Sequence, residues 1–156
     1  MKATLENANA APYNVIISGG GPVGLFLAGE LALAHCTVLL LEKAASPHSP
    51  LKRRPFGIRG LNALSIEALY RRGLLHELAL HQRLPSPHLA APGPPQRQGG
   101  HFAGIQFQVD KIDFSQWPYR LPSATATHLL TELAELEPVL TRRAEALGVE
   151  IRRGLA

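Results

Sequence analysis

The sequence holds a single cysteine, Cys36, so an intrachain disulfide is excluded. Cys36 stands between a helix-like and a strand-like stretch, where a small buried residue fits; a catalytic thiol is the sharper alternative. Aromatic residues make up only 6% of the chain and form no stripe with its basic clusters at 52–54, 71–72, 142–143 and 152–153. A nucleic-acid surface needs such a stripe, so the modest net charge of +4 points to no nucleic acid. No apolar run approaches the roughly 20 residues of a membrane span. The seven histidines show no paired metal-ligand spacing, and no metal is expected. Residues 1–12 lack the basic start and apolar centre of a signal peptide. They read as a loose leader, with the cytoplasm as the expected compartment. At 156 residues the chain suits one core better than two domains.

What is present is ordered around residues 13–24. Val15, Ile16 and Ile17 form a short apolar run suited to a parallel strand buried on both faces. Gly19, Gly21 and Gly24 follow at G-x-G-x-x-G spacing, and Pro22 suits the first turn of a helix. Gly19 permits the tight turn, Gly21 lets a pyrophosphate approach the backbone, and Gly24 lets helix and strand pack closely. A helix is expected over 23–34, and the free N–H groups at its start favour an anion. Residues 37–41 read as a second buried strand with Glu42 at its end. A carboxylate roughly 20 residues past the glycines is placed to accept hydrogen bonds from an adenosine ribose. Strand, glycines, helix, strand and terminal acid in register predict a dinucleotide site. The plain alternative is a glycine turn in an α/β core with a surface glutamate.

Residues 46–50 form a turn-prone linker that leads to Arg54-Pro55-Phe56-Gly57. Residues 61–73 read as a helix with Leu61, Leu64, Ala68 and Leu69 on one face and Gly73 as its left-handed cap. Another short helix is expected over 74–80. The Pro-, Gly- and Gln-rich stretch 81–100 reads as a long loop, and 102–109 alternates like a strand. His101 tempts as a catalytic base and reads more simply as a structural histidine. Leu133, Leu136, Leu140, Ala144 and Leu147 make the apolar stripe of a helix over about 134–147, capped by Gly148. Pro138 belongs in a first turn, which puts the expected start near 135–137. Val149 and Ile151 then begin a strand suited to join the sheet as a third parallel member.

The run Gly-Gly-Gly-Pro-Val-Gly-Leu at 19–25, Glu42, Arg54-x-x-Gly57, and the helix ending in Gly73-Leu74 resemble the FAD-dependent aromatic-ring hydroxylases. These are the single-component flavoprotein monooxygenases similar to para-hydroxybenzoate hydroxylase. Gly-His-Phe-Ala-Gly-Ile at 100–105 resembles the bacterial branch that hydroxylates polyketide aromatics, and the stretches 135–140 and 148–154 also follow that pattern. The resemblance covers roughly residues 14–154.

It implies an α/β fold: a Rossmann-type FAD-binding domain over 13–156 with a parallel β-α-β core, incomplete at its C-terminus. It also implies FAD as cofactor, NAD(P)H as electron donor and a small aromatic or polyketide substrate. The cofactor site would comprise Gly19, Gly21, Pro22, Val23, Gly24, Glu42, Lys43 and Arg54. Arg54 would be a fixed cation near the pyrophosphate, since a planar, permanently charged donor suits that task. Without the resemblance, Arg54 reads as part of a solvated basic patch. No catalytic acid or base is implied, because the flavin performs the chemistry.

Two positions depart from the family pattern. His35-Cys36 stand where a glycine commonly separates the first helix from the second strand, and histidine tolerates a left-handed cap better than most residues. Leu133 or Ser123, depending on alignment, stands where the family tends to place a glutamine near the flavin. The family's later Asp-Gly and Gly-Asp cofactor motifs are also missing. The expectation is an N-terminal portion, incomplete and inactive on its own, with a separate C-terminal half as candidate partner. Two other classes stay open. One is a non-catalytic dinucleotide-binding remnant or half of a split enzyme. The other is an NAD-dependent dehydrogenase, against which Arg54-x-x-Gly57 and the 100–104 block speak.

Overall fold

The computed structural model describes residues 12–78, 98–100, 106–108, 111–116 and 128–155. In chain order the elements are β1 (Val15–Ser18), α1 (Pro22–Leu33), β2 (Val38–Glu42), β3 (Ile58–Asn62), α2 (Ala63–Arg71), α3 (Leu74–Glu77), β4 (Gln98–Gly100), β5 (Gln106–Gln108), β6 (His128–Glu132), α4 (Leu133–Ala146) and β7 (Glu150–Arg153). The described residues fall into two compact units. One takes those up to Ser49 and from Leu136 onward; the other runs Pro50–Glu135.

In the first unit β2 lies between β1 and β7, and both pairings are parallel, with Ile17 opposite Leu40 and Leu40 opposite Ile151. Val38, Leu39 and Leu40 are all buried, as an uninterrupted apolar run in a central parallel strand should be. β1 differs from expectation. Ile17 is buried, but Ile16 on the opposite face is 61% exposed. α1 covers only the face that carries Ile17: a methyl group on Gly24 would come within 3.4 Å of Ile17 Cγ2.

α1 buries Leu25, Ala28 and Gly29 and ends in a Schellman turn. The Cys36 N–H donates to the Leu31 carbonyl at 3.0 Å, and the His35 N–H to the Ala32 carbonyl at 2.9 Å. His35 takes the left-handed position of that turn with φ +63°, as the departure from glycine implied. α4 closes in the same way with Gly148 at φ +86°. There the Val149 N–H donates to Ala144 at 3.0 Å and the Gly148 N–H to Glu145 at 2.9 Å.

α4 starts earlier than its proline suggested. Pro138 lies inside the helix rather than in its first turn. The cause is β6, which ends at Glu132 and leaves no loop before Leu133. The helix therefore forgoes the bond that an N–H at position 138 would give the carbonyl of Ala134.

The second unit holds two antiparallel ribbons that the sequence did not announce. β3 pairs β6, with Ile58 opposite Glu132 and Asn62 opposite His128; β4 pairs β5. The expected helix over 61–73 is thus shorter. Leu61 belongs to β3, and Asn62 caps α2 by accepting from the Ser65 N–H at 2.9 Å. Leu64 is 81% exposed, and the buried side of α2 is Ile66 and Leu69. A strand, a cap and a helix in direct succession imitate one longer helix, because Leu61 and Leu64 happen to stand three apart. Gly73 is left-handed as expected, with φ +73°. α3 ends at Glu77, and residues 79–80 lie outside the described ones. The expected loop over 81–100 ends instead in β4, while β5 falls within the expected strand over 102–109. His101 and Ser123 lie outside the described residues.

Candidate functional site

The centre of the first unit is the turn after β1. The Gly19 N–H donates to the Leu41 carbonyl at 2.7 Å, carrying the β1–β2 ladder one bond past the strand. Gly19 has φ +110°, a conformation that side-chain-bearing residues avoid. The Gly20 N–H then donates to Glu42 Oε2 at 2.6 Å, and the Ala44 N–H to Glu42 Oε1 at 2.8 Å. Leu155 N–H reaches the Glu42 carbonyl at 3.2 Å. Hydrogen bonds to an ionised carboxylate are short and strong, so the acid and the loop hold each other.

Sterics explain the remaining glycines. A methyl at Gly24 would sit 2.1 Å from the Gly19 carbonyl oxygen, so this contact between helix and turn permits only hydrogen. At Gly20 it would lie 3.0 Å from Glu42 Cβ and 3.2 Å from Leu40 Cδ2. The fingerprint spacing leaves Gly20 as an unspecified position, and sequence reasoning passed it over; the run of three glycines was the available signal. Gly21 is the opposite case. It has extended backbone (φ −77°, ψ 179°) at the N-cap of α1, and a methyl there would meet nothing within 4 Å. No side chain caps α1 and no acid stands in its first turn, which opens with Pro22. That helix start therefore has room for an anion at Gly21, with Glu42 engaging the Gly20 N–H just before it.

A cleft of about 350 Å³ opens at the C-terminal ends of β1 and β2, lined by Ser18, Gly19, Leu41, Glu42, Lys43 and Leu155. Parallel sheets bind ligands at that end. The residues present suit a dinucleotide there: open space above Gly21 for a phosphate, and a carboxylate with capacity for several donors held beside the cleft. Val23 projects its side chain into solvent, so any part it plays in this site is through its backbone.

A larger cleft of about 490 Å³ lies at the other end of the strands, near Tyr13, His35, Cys36 and Glu150. Its polar groups are engaged with one another. The Tyr13 hydroxyl donates to Glu150 Oε2, and Arg152 Nε donates to Glu150 Oε1 at 2.7 Å. The hydrogen bond from Tyr13, and after it that from Arg152, holds the Glu150 carboxyl below its ordinary range, and the same bond to Glu150 raises the Tyr13 phenol. Beside them the Thr37 N–H donates to Asn14 Oδ1 at 2.7 Å and the Asn14 N–H to the Thr37 carbonyl at 2.9 Å. These contacts fasten the start of the sheet.

Arg54 lies in the second unit. Its Nε donates to Glu132 Oε1 at 3.0 Å, across 78 residues of sequence. The turn that carries it is closed by Gly57, whose N–H donates to the Arg53 carbonyl at 2.7 Å and whose own carbonyl accepts from Leu133 N–H at 2.9 Å. A methyl at Gly57 would overlap the Lys52 carbonyl, 1.9 Å away, which gives Arg54-x-x-Gly57 its physical meaning. Glu132 is a further residue that sequence reasoning missed.

Among the described residues no group of three or more His, Cys, Asp or Glu is arranged to hold a metal ion, and no helix is long and apolar enough to cross a membrane.

Comparison with known proteins gives one consistent outcome. The FAD binding domain family matches residues 12–155. A rifampicin monooxygenase of Streptomyces venezuelae is 39% identical over 144 residues, covering 92% of this chain and 25% of the relative. Among solved structures, the OxyS anhydrotetracycline hydroxylase from Streptomyces rimosus superimposes with a TM-score of 0.58 at 33% identity, covering 91% of this chain and 24% of that one. A Diels-Alderase of pyrroindomycin biosynthesis, PyrE3, gives 0.57 at 32% identity, covering 89% and 24%. The chain spans between about a quarter and 29% of the length of curated relatives it matches.

Proposed function

The chain belongs to the FAD binding domain family, and from that membership we propose that it supplies the adenosine-pyrophosphate half of the FAD site in a flavin-dependent monooxygenase. The single observation that carries this reading is the Glu42 carboxylate, bonded to the Gly20 N–H at 2.6 Å beside the cleft at the strand ends. Gly19, Gly21 and Gly24, with the first turn of α1 at Pro22 and Val23, form the seat of the pyrophosphate; Gly21 and Val23 offer it backbone N–H groups, while Pro22 has none and that of Gly19 goes to Leu41. Glu42 accepts the ribose hydroxyls and Lys43 lines the same cleft. Arg54 presents a fixed cation to the phosphates.

When bound and reduced, the flavin supplies the oxygen-activating chemistry, with NAD(P)H as electron donor. The chain's own residues bind and orient it. The substrate class we propose is a small aromatic or polyketide molecule, in line with relatives named for rifampicin and anhydrotetracycline. The remaining contacts to the flavin and substrate would come from a C-terminal half, in cis or as a separate chain. The test is to supply FAD, NAD(P)H and aromatic polyketides to the chain together with such a half. Substrate-dependent NAD(P)H oxidation and a product one oxygen atom heavier support the reading.

The Diels-Alderase among the similar structures favours one second reading: an FAD domain serving a cyclisation that needs no electron transfer. Product formed from substrate without NAD(P)H consumption would select it.

A further inference from the structure

We propose that the free edge of β1 is the contact through which two copies of this chain pair, with Ile16 on the two-fold axis. The inference rests on the first unit alone and does not depend on the ligand assigned above.

Among the described residues β1 has a neighbour on one side only, β2. The Val15 N–H donates to the Thr37 carbonyl at 3.2 Å and the Gly19 N–H to that of Leu41 at 2.7 Å. In a parallel pair, alternate residues of a strand turn their backbone groups towards the neighbour. Ile16 and Ser18 therefore turn theirs outward, donors and acceptors in a row that form a template for another strand. The Ile16 side chain lies exposed, whereas Leu39, its partner in register on β2, is buried. The apolar exposure thus belongs to the edge rather than to the whole face.

The two edges of the sheet are built differently. On β7 the exposed residues Glu150 and Arg152 are charged and paired with each other at 2.7 Å. Charged side chains of that kind are how sheets blunt an edge. β1, with the sequence Val-Ile-Ile-Ser, carries neither charge nor proline. No Asp, Glu, Lys or Arg stands anywhere between Glu6 and Glu30.

That neutrality selects the occupant. The chain has a net charge of +4, so two copies repel overall and can meet only where no like charges are brought together. A two-fold contact sets residues near the axis against their own kind. With antiparallel pairing about Ile16, Ile16 opposes Ile16 and Asn14 opposes Ser18, with no charge to oppose or to strip of water. The pairing joins two three-stranded sheets into one and closes, because each copy has spent its β1 edge.

The test is sedimentation velocity on the full chain over a concentration series, with backbone amide hydrogen exchange on the same samples. The expected result is a concentration-dependent doubling of mass with no larger species, and slowed exchange at the Ile16 and Ser18 amides as the dimer forms. Ile16→Lys, which sets two like charges face to face, should return the monomer and fast exchange at Ser18 while leaving the circular-dichroism spectrum unchanged. Ile16→Thr, an uncharged strand former, should keep the dimer. Should Ile16→Lys fail to fold, exchange at Ser18 in the unaltered chain decides by itself. A chain that stays monomeric with fast exchange at Ser18 overturns the inference and leaves the edge to a different partner. Slow exchange at Ser18 in a monomer overturns it in favour of another segment of the same chain. A dimer that survives Ile16→Lys, or one in which Ser18 still exchanges fast, overturns it by placing the contact elsewhere.

Discussion

The backbone N–H of Gly20 and the carboxylate of Glu42 lie 2.6 Å apart, so the glycine turn and the acid at the end of β2 form one hydrogen-bonded unit. Their separation of 22 residues is bridged by parallel pairing of Ser18 with Leu41. Glu42 therefore has two tasks, shaping the loop and facing the cleft.

Glu42→Ala is expected to weaken FAD by about 1–3 kcal/mol, the scale of a lost charge-assisted hydrogen bond. Because the Gly20 N–H also loses its acceptor, the variant should lower folding stability by about 1 kcal/mol. Fluorescence titration and thermal melts read the two effects separately. An unchanged FAD affinity would remove Glu42 from the site.

Gly21 and Gly24 should fail in different ways. Gly21 has extended backbone and open space around it, so Gly21→Val folds with an ordinary circular-dichroism spectrum and loses FAD. Gly24→Ala meets the Gly19 carbonyl oxygen at 2.1 Å and should destabilise the fold itself, by about 1–3 kcal/mol on the scale of overpacking. Yellow holoprotein surviving gel filtration with Gly21→Val would count against the assignment.

His35 offers a stabilising change. It occupies the left-handed position of a Schellman turn that glycine fills at the end of α4. Left-handed backbone costs most residues about 1–2 kcal/mol, partly offset here by the greater freedom glycine has when unfolded. His35→Gly should gain about 0.5–1 kcal/mol and raise the melting temperature by roughly 2–4 °C. A lower melting temperature would mean the imidazole makes contacts that outweigh the strain.

The Tyr13–Glu150 pair gives a pH signature. A carboxyl held below its ordinary value contributes stability that is lost as pH falls through its folded pKa. A phenol raised above 10.0 contributes stability that is lost as pH rises through its own. The melting difference between wild type and Tyr13→Phe should be widest from about pH 5 to 9 and narrow beyond either end. A difference as large at pH 3 as at pH 7 would show that Tyr13 acts by packing alone.

The first unit was legible in the sequence because its signals are local. Val15 to Glu42 carries strand, turn, helix and strand within one short span, and even the left-handed bend at His35 could be foreseen from the missing glycine. The second unit was not. Pairing of β3 with β6 brings together residues more than 60 positions apart, and no pattern within either stretch reveals its partner. Leu61 consequently read as helical, and nothing in the sequence singled out Glu132. Gly57 was visible as a motif, but its cause, the Lys52 carbonyl beneath it, is a property of the folded turn.

The central claim is that this chain recognises the adenosine-pyrophosphate half of FAD rather than its flavin half. Calorimetric titration of the chain with ADP and, separately, with FMN tests it most directly, each followed by competition against FAD. The account predicts that ADP binds and displaces FAD, that FMN does neither, and that Gly21→Val abolishes the ADP signal. Binding of FMN without binding of ADP would contradict it.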